Sequence, residues 1–128
     1  MEIKLTNKES EEYFYNALCN GLGELYQYNL ELDYSDDEYT EARDKLKAKG
    51  TEACYEDVLL EMLRMGYILT LADVDGNEEE RAITLKEVHD RVSLTPIRHL
   101  MNMINEEDDA ITADVILQTV FLEDIVYG

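Results

Sequence analysis

The side chains best spaced for chemistry are Asp73, Asp75, Asn77 and Glu79, oxygen-bearing residues at alternate positions of one short segment. Calcium loops present their ligands in this way, because a hard cation gathers many oxygens from one curved stretch of chain. The rest of such a loop is missing. Glu78 stands where a glycine makes the sharp turn, Glu80 where an apolar residue belongs, and Thr84 where a bidentate acid closes the site. A hairpin turn on Asp75-Gly76 accounts for the same residues, since Asp-Gly supplies the positive φ angles of a tight turn. The segment is therefore expected to be a turn, with a weak Ca²⁺ or Mg²⁺ site at residues 73, 75, 77 and 79 as the alternative.

Two acidic runs are the other candidates: Asp36, Asp37 and Glu38, and Glu106, Glu107, Asp108 and Asp109. Consecutive side chains on one element diverge, so neither run is expected to hold a cation. Both are expected as solvated helix-start or loop acids that a basic partner can reach. His89 and His99, the only histidines, have no base or nucleophile visible at hydrogen-bond spacing, and catalysis needs both a partner and a cleft. Cys19 and Cys54 lack zinc spacing and fall in helical patterns, where a free cysteine acts as a small buried hydrophobe. No nucleophile elbow, phosphate loop, dinucleotide fingerprint or zinc-protease pair occurs, and no cofactor is expected.

Charge sets the function classes. Thirty acids against eleven bases leave a formal charge of −19. Residues 1–42 carry eleven acids and two bases, residues 43–99 twelve and nine, and residues 100–128 seven and none. Such a surface repels phosphate backbones and anionic headgroups, so neither nucleic acid nor membrane is an expected partner, whereas a basic protein is. No apolar run approaches the ~20 residues of a membrane span. A cytoplasmic location is expected, in keeping with reduced thiols.

The elements that must position these residues follow from capping and periodicity. Thr6 with Glu9 marks the start of a helix over 7–20, closed by Gly21 and Gly23. Residues 26–34 alternate Tyr26, Tyr28, Leu30, Leu32 and Tyr34 with polar residues, the period of a half-buried strand near 25–34. Ser35 with Glu38 opens a helix stopped by Gly50, and a helix through Met65, expected to be the most buried, stops at Gly66. A hairpin is predicted near 67–85 with its tip at Asp75-Gly76. Thr84 with Glu87, Thr95-Pro96 and Thr112 open three more helices, the second burying Ile97, Leu100, Met101 and Ile104. Leu122 to Tyr127 is expected to end as a strand.

The chain is thus expected to form one α+β domain over residues 1–128. A short antiparallel or mixed sheet would be covered by five or six helices on one face. Its function is expected to be non-enzymatic: an accessory protein engaging a basic partner, in its sharper form a nucleic-acid mimic of the phage or mobile-element type. The alternatives are a metal-dependent enzyme or binding protein using residues 73–79, and an assembly subunit, which a large exposed apolar patch would distinguish. Tyr26, Tyr28, Tyr34 and Tyr39 beside carboxylates suit a protein-binding surface, although alternation would turn their rings inward.

Overall fold

A computed structural model describes residues 3–76, 78–107 and 109–127. Helix α1, Asn7–Gln27, leads into strand β1, Leu30–Asp33, then α2, Asp36–Ala48, and α3, Tyr55–Arg64. Strands β2, Leu69–Asp73, and β3, Arg81–Ile83, form the hairpin. Helix α4, Leu85–Arg91, passes through a 3-10 turn, Val92–Leu94, into α5, Ile97–Ile104, and α6, Ala110–Leu122, follows. The described residues thus form a small α+β fold with six α-helices and one three-stranded antiparallel sheet, in the order β1-β2-β3. Among the described residues no helix is long and apolar enough to cross a membrane.

Local chemistry explains most boundaries. The Thr6 hydroxyl accepts from Glu9 N–H at 3.1 Å while the Glu9 carboxylate accepts from Thr6 N–H at 2.9 Å, so two free donors of the first turn are satisfied reciprocally. Glu87 reaches back to Thr84 with both carboxylate oxygens, one accepting from the Thr84 N–H at 3.3 Å and the other from its hydroxyl at 2.9 Å. Gly50 and Gly66 take φ of +78° and +90°, the left-handed geometry that closes α2 and α3. In the sheet, Leu32 lies opposite Leu71 and Leu69 opposite Ile83, a register that turns all four onto the buried face.

The largest departure from expectation lies at residues 21–29. Gly21 does not end the first helix, which continues to Gln27 because Leu18, Leu22 and Leu25 maintain its buried stripe. Gly21 serves packing instead. A Cβ there would lie 2.9 Å from a backbone carbon of Ala113, so its absence lets α1 run against α6. The turn comes at Asn29, with φ of 62°, a conformation asparagine tolerates. The strand expected near 25–34 is accordingly shortened to Leu30–Asp33, and Tyr26 stands on α1, 48% exposed.

The most buried helix is α6 rather than α3. Its residues from Thr112 to Phe121 are all buried, because α1, α4, α5 and β3 surround it, and a helix apolar on every face needs such an enclosure. Asp109, not Thr112, caps it, accepting from Thr112 N–H at 2.9 Å. Residues 123–127 are not a strand. They are held to α6 by Gln118, whose Oε1 accepts from the N–H groups of Val126 and Tyr127 at 2.8 and 2.9 Å. The same Gln118 amide donates to Asp114 Oδ1 at 2.9 Å, and Tyr28 donates to Asp114 Oδ2 at 2.9 Å, so the buried carboxylate is bonded at both oxygens.

Two glycines only two residues apart, on opposite sides of α1, should respond with opposite signs. Gly21→Ala is expected to destabilise by about 1–3 kcal/mol through overpacking. Gly23→Ala, whose Cβ meets nothing within 4 Å, should stabilise by about 0.5–1 kcal/mol through backbone entropy. Urea denaturation of both variants measures this directly.

Candidate interaction surface

The hairpin tip contains the proposed metal ligands. Asp73 Oδ1 accepts from Asp75 N–H at 2.9 Å, and Gly76, at φ +72°, returns its N–H to the Asp73 carbonyl at 3.0 Å. Asp75 Oδ2 accepts from the Asn29 amide at 3.4 Å, which ties the tip to the start of β1. These bonds are those of an aspartate-built turn. Glu79 is exposed beside it, and Asn77 lies outside the described residues. Among the described residues no three His, Cys, Asp or Glu side chains are grouped to hold a metal ion.

The acidic runs lie on different elements. Asp36 and Asp37 are exposed in the first turn of α2, with Glu38 half-buried behind them and its N–H donating to Ser35 Oγ at 3.4 Å. Glu106 takes φ of 58° and Glu107 N–H closes on the Asn102 carbonyl at 2.8 Å, so this pair forms the C-terminal lock of α5. Asp109 is spent on the α6 cap, and the backbone N–H of Thr112 holds its carboxyl below the usual range. Asp108 lies outside the described residues.

His89 does have a partner, 78 positions away in sequence: its Nε2 lies 2.8 Å from Glu11 Oε2. Arg64 Nε donates to the other Glu11 oxygen at 2.8 Å. The trio ties α4, α1 and α3 together. Burial pushes the Glu11 carboxyl up, but the bonds from Arg64 and His89 outweigh it and leave the group below its ordinary value. Cys19 and Cys54 are exposed and free rather than buried. Cys54 caps α3, its N–H donating to Asp57 Oδ2 at 3.0 Å, and its sulfur lies 3.5 Å from the Tyr15 hydroxyl.

The fold assembles an aromatic cluster from Tyr34 and Tyr39, which the sequence pointed to, and Tyr55, which it did not. Tyr34 at the end of β1 stacks on Tyr39 of α2, with centroids 5.3 Å apart and planes 22° from parallel. Tyr55 of α3 lies 6.2 Å from Tyr34 and 6.0 Å from Tyr39, and accepts a hydrogen bond from the Tyr34 hydroxyl at 3.1 Å. These three rings are half-buried, and exposed Tyr26 lies within electrostatic reach of Tyr34. Tyr28 instead leaves the group, stacking on Tyr127 at 5.2 Å. Its hydroxyl is pushed up to about 12 by burial and by the bond to Asp114.

Carboxylates frame these rings. Burial first, then Tyr34, raises the Tyr26 and Tyr39 hydroxyls; Glu56 adds to both shifts and Arg43 opposes that of Tyr39. Beside Tyr34 a groove of ≈ 280 Å³ is lined by Asp33, Glu38 and Glu80 together with Ile68 and Thr70. Among the described residues no Lys, Arg or His forms an ion pair with Asp33, Glu38, Glu56 or Glu80. Tyr55 and Glu80 carried no short-range signal, since α3 and the segment before β3, both distant in sequence, bring them to Tyr34.

No protein-family model matches the chain, and neither curated proteins nor solved structures give a significant match.

Glu11→Gln tests the helix tie. A carboxyl with a lowered folded value stabilises above the ordinary glutamate value of 4.5 and loses that contribution as pH falls through the folded value. The gap in melting temperature between native protein and Glu11→Gln should therefore be widest above pH 4.5 and narrow on acidification. Calorimetry across that range measures it.

Proposed function

We propose that this protein is a non-enzymatic interaction protein, and that a basic protein segment seats on the face formed by Tyr26, Tyr34, Tyr39 and Tyr55. The observation that carries the proposal is the tyrosine stack beside the groove of Asp33, Glu38 and Glu80, whose carboxylates form no ion pair among the described residues. A lysine or arginine laid over a tyrosine face gains about 0.5–2 kcal/mol, depending on how far it is desolvated. The neighbouring carboxylates add charge-assisted hydrogen bonds. Aromatic residues at the centre with a polar rim are the usual anatomy of a binding surface.

The net charge of −19 supports the same partner class by drawing cationic proteins in at long range. A basic partner that itself binds nucleic acid is the sharper form of the proposal, and duplex DNA would then compete for that partner.

Titration of an oligoarginine peptide, followed by calorimetry, separates this face from the bulk charge. Asp33→Asn with Glu38→Gln and Glu80→Gln is expected to weaken binding at least about tenfold beyond a Glu106→Gln, Glu107→Gln control. Replacing Tyr39 by Leu should remove a further contribution of about 0.5–2 kcal/mol. Native binding should weaken steeply as salt rises. Equal losses in the control and in the groove variant would reduce the interaction to unplaced charge and contradict the proposal.

A further inference from the structure

Helix α5 leaves apolar surface uncovered. Only Leu100 and Met103 of this helix are buried, whereas Ile97 and Met101, expected in the core, are 43% and 40% exposed. Leu94, from the 3-10 turn before α5, is 63% exposed and shares the lining of one cleft with Ile97, so it extends the apolar ridge. Beside the ridge is a cleft of ≈ 290 Å³ lined by Ile3, Leu94, Thr95, Pro96, Ile97 and Leu100. Thr95 in that lining is 4% exposed, and its hydroxyl has no hydrogen-bond partner among the described residues.

The charge pattern indicates which occupant fits. Residues 91–105 contain no Asp or Glu, the longest such stretch in the chain, and all of the ridge lies within it. Arg98, the one charged residue of α5, is held beside His99, which in turn bonds Thr112 of α6 at 3.3 Å. We propose that a second copy of this chain docks here, ridge against ridge and into the cleft. An isologous contact places the same patch on both partners. For two copies each carrying −19, it is the pairing that sets no carboxylate of this stretch against another. Apolar burial at the ridge then opposes a repulsion spread over the rest of the surface, and that repulsion is screened by salt.

Sedimentation of the full chain tests the dimer at two ionic strengths: about 0.01 M, where the screening length is about 30 Å, and about 1 M, where it is about 3 Å. The native chain is expected to shift from monomer toward a doubled mass as salt rises, the opposite salt dependence to capture of a basic partner. Failure of either proposal is thus visible without the other. Ile97→Lys combined with Met101→Lys should restore the monomer at high salt with unchanged circular dichroism and melting. Both side chains are already 40% or more exposed, so the lysines leave the buried core intact. Val74→Lys, at an exposed apolar residue of the hairpin, should leave the dimer intact. A native chain that stays monomeric at high salt, a dimer that survives both lysines, or a dimer lost equally with Val74→Lys would each overturn the proposal.

Discussion

The approach of Gly21 to Ala113 sets how closely α1 runs past α6, and the rest of the fold is arranged around that contact. With α1 seated, Phe14 meets Phe121 at 6.1 Å and Leu18, Leu25, Ile116 and Leu117 close into one buried cluster. Because α6 is apolar on nearly every side, it must be enclosed by α1, α4, α5 and β3. Its one acid, Asp114, is admitted to this interior because Tyr28 and Gln118 supply donors to both oxygens. Gln118 then fixes residues 126 and 127, so a single buried amide joins the central helix to the end of the chain.

A charge of −19 opposes any compact state, and the fold distributes it in three ways. Some acids are absorbed by backbone: Glu9, Asp57, Glu87 and Asp109 satisfy free N–H groups at helix starts. Some meet cations between elements, as Glu11 does with Arg64 and His89 and Glu61 with Lys45. Apart from buried Asp114, most of the remainder face solvent, and those around Tyr34 gather where rings from three elements converge. The proposed function rests on this last group, while the acid-free α5 ridge is its electrostatic opposite.

Local signals made much of this legible. The capping pairs at Thr6 and Thr84, the left-handed glycines at 50 and 66, and the Asp75-Gly76 tip each act over a few residues and each fell where the spacing put them. The failures share a cause, which is that distant packing decided the outcome. Gly21 looked like a stop because its partner, Ala113, is 92 positions away. The alternation through Tyr26 and Tyr28 was equally compatible with the end of a helix followed by a turn, and Leu22 with Leu25 favoured the helix. Glu106 and Glu123 adopt positive φ, at 58° and 64°, where composition gives no hint of it. The α5 stripe was read as core because periodicity reports an apolar face but not whether anything covers it. The Tyr34, Tyr39 and Tyr55 stack was half visible, two members being close in sequence and the third supplied by another helix.

The central claim is that the tyrosine face, and not the acidity as a whole, receives a basic partner. The most direct measurement is a nuclear magnetic resonance titration of the full chain with an oligoarginine peptide, following tyrosine ring and backbone signals together. Saturable shifts are expected of the Tyr26, Tyr34, Tyr39 and Tyr55 rings and of the Glu56 and Glu80 amides, with Tyr28 and residues 106–109 nearly unmoved. Shifts spread evenly over residues 36–38 and 106–109, with the tyrosine rings unchanged, would contradict the claim.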